Sequence, residues 1–258
     1  MPLEDIVISK AIITRYNQEL LSALESDVAI AGGGPSGLVA AFYLAQQGVQ
    51  VVLFERNLSL GGGMWGGGMM FNQIVVQEEA RPILDTFGVR YCTFEPGYYT
   101  AHATETVAAL ILGAVQKGVK IFNLISAEDV MVRNERICGL VLNWTAVGLA
   151  RLHVDPIAVS CPCVIDCTGH DAQIANIVVR KMGAVLKTPS GKIEGEKPMW
   201  AEQGEEAILK NTAEIYPGLY VAGMAANAVY GSHRMGPVFG GMLLSGKRAA
   251  ELVRGGLI

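Results

Sequence analysis

The chain has 258 residues, 51% of them apolar and 17% charged, with a net charge of −4 and no basic run, a balance that argues against nucleic acid and anionic membrane surfaces as partners. Its longest apolar runs, such as Val107 to Val115, are too short to span a bilayer, and the N-terminus carries Glu4 and Asp5 in place of a basic stretch, so neither a membrane anchor nor a secretory signal is expected. Five cysteines without a C-x-x-C pair fit a reducing compartment, and so apolar a composition leaves surface to bury between subunits; the expectation is a soluble, cytoplasmic homo-oligomer with one domain per chain.

Residues 1–26 read as a short lead and a helix, with Ser9 as its cap and Ile12, Ile13, Tyr16, Leu20 and Leu24 at helical spacing. Such a face covers a sheet or a subunit seam. The stretch from Asp27 to Glu55 then runs strand, glycine turn, helix, strand, acid. Within it, Gly32 permits the tight turn, Gly34 lets backbone approach a pyrophosphate, and Gly37 lets helix pack closely on strand. The free N–H groups around Ser36 at the helix start face the phosphates. Glu55 stands where an acid accepts hydrogen bonds from an adenosine ribose, and its charge repels a 2′-phosphate. An unphosphorylated adenylate such as NAD or FAD therefore fits better than NADP.

Gly61 to Gly68, interleaved with Met64 and Trp65, suits backbone lying against a ligand. A helix over Glu78 to Phe87 and a short strand ending at Tyr98-Tyr99 follow, and His102 opens a helix near Thr104 to Lys117. Two alternating runs around Asn134-Glu135 predict a β-hairpin inserted at 126–145, between a first half (27–125) and a second half (146–258). In that second half, His153 and Asp155 precede a strand from Ile157 to Ser160. Val164 to Asp171 is a buried strand that breaks at Gly169, which puts His170 at its carboxyl end, where ligands of open α/β sheets sit. His153, Asp155 and His170 are candidates for one metal site suited to Fe(II), Mn(II) or Zn(II). A strand-end histidine bonded to backbone and a turn aspartate before Pro156 fit the same spacing. Cys161 and Cys163 read as buried small hydrophobes. A helix, a polar loop over 187–192, a second helix, a buried strand ending in Gly223, an irregular loop containing Arg234, and a final helix from Gly240 with a small-residue face complete the chain.

This skeleton resembles the two-dinucleotide flavoproteins of the glutathione-reductase type, which implies a Rossmann-like α/β fold. Met224, however, replaces the acid that follows the last strand's glycine in those proteins and holds the flavin. An FAD-dependent oxidoreductase and a non-catalytic NAD or ADP-ribose binder are the alternative readings. Over essentially the whole chain, the combination of Gly32 to Gly37, Glu55-Arg56, Gly61 to Gly68, His153-Val154-Asp155-Pro156, Thr168 to Asp171 and Gly231 to Pro237 is similar to the thiazole synthases of thiamin biosynthesis, the Thi4 family. The resemblance implies that NAD is a substrate, losing nicotinamide, and that its ADP-ribose condenses with glycine and sulfur. Fungal and plant members carry a sulfur-donating cysteine at the position of His153. Its absence here, with Cys161, Cys163 and Cys167 all off that position, implies free sulfide as donor. The resemblance further implies that Asp155, from a neighbouring subunit, and His170 bind Fe(II). It makes Ser36, Glu55, Arg56, Gly63, Ala127 and Met224 contacts of the adenylate or its ribose, and Arg234 the partner of the glycine carboxylate. His153 is left as a proton carrier of open role, and the assembly is expected to be an octamer with shared sites.

Overall fold

The computed structural model of the chain describes residues 2–257. In chain order the elements are α1 (Asp5–Ala23), β1 (Val28–Ala31), α2 (Pro35–Ala45), β2 (Val51–Glu55), β3 (Gln73–Val76), α3 (Arg81–Thr86), β4 (Tyr91–Glu95), β5 (Tyr98–His102), α4 (Ala103–Gln116), β6 (Lys120–Asn123), β7 (Ile125–Arg133), β8 (Arg136–Trp144), α5 (Thr145–Leu149), β9 (Ile157–Ser160), β10 (Cys163–Asp166), α6 (Gln173–Met182), α7 (Ala201–Asn211), β11 (Ala213–Tyr216), β12 (Leu219–Val221), α8 (Met224–Val229) and α9 (Gly240–Leu257). The central sheet has the order β11-β12-β10-β1-β2-β6, parallel throughout except for the β11–β12 pair. Strands covered on both faces must be apolar along their whole length, and β1, β2, β10 and β12 are buried at every residue. This is the Rossmann-like α/β fold that the glycine motif implied.

Two apolar layers sandwich the sheet. On one face α2, α4 and α9 pack around Ile30, Leu38, Leu53, Leu110 and Leu243; on the other, β7, β8 and α6 pack around Phe54, Ile125, Leu140 and Ile177. The small-residue face of α9 lets it lie against α2: a Cβ on Gly246 would meet the Ser36 carbonyl oxygen at 2.3 Å. Close approach of two helices is what the small residues there permit. Among the described residues, no helix is long and apolar enough to cross a membrane.

The structure differs from the sequence expectations at several places. The first helix begins at Asp5, not at Ser9, and the Ser9 hydroxyl bonds back to the Asp5 carbonyl at 3.0 Å. Ala23 is buried in the core and Tyr16, Leu20 and the capping Leu24 pack against it, whereas Ile6, Ile12 and Ile13 are exposed. The helix expected over Glu78 to Phe87 is a 3₁₀ turn followed by α3, because Pro82 suits only the first turn of a new helix. A three-stranded antiparallel sheet, β3-β5-β4, occupies the region where one short strand was expected. The inserted hairpin β7–β8 turns at Asn134 and Glu135, both with positive φ, and its sheet gains β9 as a third strand. The glycine-rich loop forms two short 3₁₀ turns, Gly62–Gly66 and Gly68–Met70, anchored by the fully buried Met64 and by the Trp65 indole donating to the Leu60 carbonyl.

Candidate active site

A cavity of about 1180 Å³ opens at the carboxyl ends of β1, β2 and β10, large even against the roughly 300–1,000 Å³ typical of small-molecule sites. One end is built by the glycine turn. Gly32 holds φ near +101°, and a Cβ there would meet the Cys167 carbonyl oxygen at 2.4 Å; a Cβ on Gly37 would meet the Gly32 carbonyl oxygen at 2.1 Å. Those two glycines let the turn close. Gly34 and Gly63 have nothing within 4 Å of the missing Cβ and both line the cavity, so there the absent side chain leaves room for a ligand.

Glu55 ends β2 beside this turn and is only 5% exposed. Its Oε2 accepts the Gly33 N–H at 2.8 Å, and its Oε1 accepts the Asn57 N–H and side-chain amide at 2.8 and 2.7 Å. A carboxylate offers about four acceptor sites, so Oε2 keeps capacity for a sugar hydroxyl. Ser36, Arg56 and Met224 also line this space, together with Ile125, Ser126 and Ala127 at the start of β7. The Ala127 carbonyl accepts from the Gln173 side chain at 2.7 Å, and Arg56 pairs with the cavity-lining Asp171 at 3.2 Å. That exposed pair is weak enough for a ligand to displace. Met224 stands with Ile208, Met235 and Met242 in an apolar cluster.

The opposite wall is organised by Asp166, a residue the sequence reading passed over. It is fully buried at the end of β10. Its Oδ2 accepts the Ile174 and Ala175 N–H groups, each at 3.0 Å, and its Oδ1 accepts from the Thr168 N–H and hydroxyl at 3.0 and 2.6 Å. Thr168 in turn accepts the Gln173 N–H at 2.6 Å. Helix α6 begins after Ala172, which has no capping side chain. Its first three free N–H groups are therefore capped by Asp166 at the end of β10 and by Thr168 just after it. That cap pins the turn Gly169–Asp171, which presents His170 to the cavity.

His170 Nδ1 lies 2.6 Å from Glu196 Oε1, a partner 26 residues away that the sequence did not reveal. Arg234 and Lys197 line the same wall, and among the described residues neither has an ion-pair partner within 4.0 Å. Cys167 is the cysteine in the cavity wall; burial, helped by the neighbouring Asp166, pushes its thiol well above the usual range. Cys161 is pushed up to about 12 by burial. Both are held as neutral thiols. His153 and Asp155, by contrast, lie in the exposed segment between α5 and β9 and do not line the cavity that holds His170. Nor, among the described residues, do three possible metal ligands converge within one chain. A half-exposed imidazole on a cavity wall fits a metal as one protein ligand, with the others coming from a second chain or from substrate.

The Thi4 family model matches residues 9–239. The thiamine thiazole synthase of Methanothermobacter thermautotrophicus is 59% identical over 253 residues, 98% of each chain. That of Pyrococcus horikoshii is 54% identical over 249 residues, 96% of each chain. A crystal structure of Thermovibrio ammonificans THI4 superimposes with a TM-score of 0.96 at 54% identity, covering 100% of this chain and 99% of that one.

Proposed function

Because the chain belongs to the Thi4 family and is a thiazole synthase of thiamin biosynthesis, we propose that it converts NAD, glycine and sulfide into an adenylated thiazole carboxylate with release of nicotinamide, using Fe(II). The observation that carries this reading is the chemistry of the cavity's two ends. The glycine turn and the buried Glu55 offer N–H groups and a hydroxyl acceptor to an unphosphorylated adenylate, with Ser36, Arg56, Gly63, Ala127 and Met224 around it. At the other end stand an imidazole, an unpaired guanidinium and no thiol in ionised form.

Arg234 is the group for the glycine carboxylate, since its planar fork can hold both oxygens. His170 holds the metal, with Asp155 arriving from a neighbouring copy. Leu149, Leu152 and Val154 are exposed around that aspartate, as are Ile6, Ile12 and Ile13 on α1. Exposed apolar residues so placed support a homo-oligomer, an octamer by family resemblance, in which sites are shared. Bound at His170, Fe(II) supplies Lewis acidity and a template for the condensing groups. His153, on the same segment as Asp155, does not line its own chain's cavity, so a proton-carrying role for it belongs to the site of that neighbour. The sulfur comes from outside, because His153 stands at the position of the family's sulfur-donating cysteine, and burial pushes the thiol of Cys167, the cysteine in the cavity wall, above its usual range.

The test is mass spectrometry of the small molecule released when anaerobically purified protein is denatured. An adenylate without nicotinamide, carrying a thiazole or a glycine-linked precursor, is the expected result. Released flavin would instead mean an FAD-dependent oxidoreductase and would overturn the proposal.

A further inference from the structure

We infer that Glu196 is a positioning residue for the site: it fixes the ring orientation and tautomer of His170, and its loop sets that ring against Arg234. The inference rests on the proposed role of His170 as a metal ligand. An ionised carboxylate only accepts hydrogen bonds, so the 2.6 Å contact puts the proton on His170 Nδ1 and leaves the Nε2 lone pair free. The Glu196 side chain is 22% exposed and the imidazole 46%, and both residues line the cavity.

Glu196 lies in a stretch without helix or strand, yet its backbone is fixed on both sides. The Gly195 N–H donates to the Ala228 carbonyl and the Lys197 N–H to the Ser232 carbonyl, both at 3.0 Å. The Arg234 N–H then donates to the Lys197 carbonyl at 3.2 Å, and the Trp200 N–H to the Arg234 carbonyl at 3.0 Å. These bonds form a short ladder, with Lys197 and His233 bridged in parallel. One strand of it carries Glu196 and the other carries Arg234. The imidazole that faces the metal and the guanidinium that faces the substrate acid are thereby held to one piece of backbone. Nothing in the sequence marks Glu196, one of several acids between Glu194 and Glu206.

The test uses the full-length protein without oxygen, titrated with Fe(II) alone by calorimetry, and with ADP-ribose separately. Glu196→Ala should weaken Fe(II) by about 10–100-fold, the usual effect of removing a partner that orients a ligating histidine. Glu196→Gln keeps an acceptor oxygen for Nδ1–H and should stay within about threefold of the unaltered protein, with ADP-ribose affinity within about twofold in both variants. Unchanged Fe(II) binding in Glu196→Ala overturns the inference while leaving the metal site standing. A parallel loss of ADP-ribose binding overturns it too, since that marks a collapsed loop. Absence of saturable Fe(II) binding in the unaltered protein defeats the metal reading itself, and this inference with it.

Discussion

Replacing His170 by alanine is expected to lower turnover by on the order of a thousandfold, the several kcal/mol that a catalytic metal supplies, while NAD still binds. Among the described residues, His170 is the imidazole that lines the cavity. The groups assigned to the adenylate lie on other elements: Gly34 and Ser36 where α2 begins, Glu55 at the end of β2. Loss of His170 should therefore separate chemistry from nucleotide binding. Steady-state rates with sulfide, set beside calorimetric NAD affinity, check this. Turnover within about tenfold of the unaltered enzyme would remove His170 from the mechanism.

Asp166→Ala is expected to be the most destabilising single change in the site region, by about 3–5 kcal/mol. It would strand the buried N–H groups of Ile174 and Ala175 and the part-buried N–H of Thr168, and release the N-terminus of α6. Complete burial pushes the Asp166 carboxyl up, while the hydroxyl and N–H donors around it act in the opposite direction. Asp166→Asn retains one oxygen and so can satisfy one of the two donor sets, which places it between alanine and aspartate. Denaturant midpoints of the three proteins give the order. A shift of less than about 1 kcal/mol for alanine would mean that α6 is capped in some other way.

The nucleotide half of the fold was legible because its signals are local. β1, the glycine turn, α2, β2 and Glu55 are contiguous, and each residue's conformation is set within a few positions of itself. The β3-β5-β4 sheet was not legible for a physical reason: β4 is exposed over most of its length, so no alternation of apolar and polar residues betrays it. The start of α1 was misread because the residue before it, Glu4, makes no side-chain cap, while Ser9, the residue that looks like one, bonds backward within the helix.

The site divides in the same way. Gly34, Gly63, His170 and Arg234 could be named from motif context, and all four line one cavity. Asp166 and Glu196 could not, because their meaning lies in what they touch. An acid in a buried strand gains its role only when α6 folds back over it, and Glu196 gains its own only when the loop after α6 zips onto the segment that carries Arg234. The exposed His153 and Asp155 mark a further limit, since the role proposed for them needs a second copy of the chain, and among the described residues one chain's fold holds no partner for either.

The central claim is that sulfur comes from solution and that the enzyme turns over. Anaerobic incubation of the Fe(II)-loaded protein with NAD, glycine and sulfide, with adenylated thiazole counted against protein by mass spectrometry, tests it most directly. The account predicts product in excess of enzyme chains, no product when sulfide is withheld, and protein of unchanged mass. A yield that stops at one product per chain with sulfur lost from a cysteine, or no adenylated thiazole with any divalent metal, would contradict it.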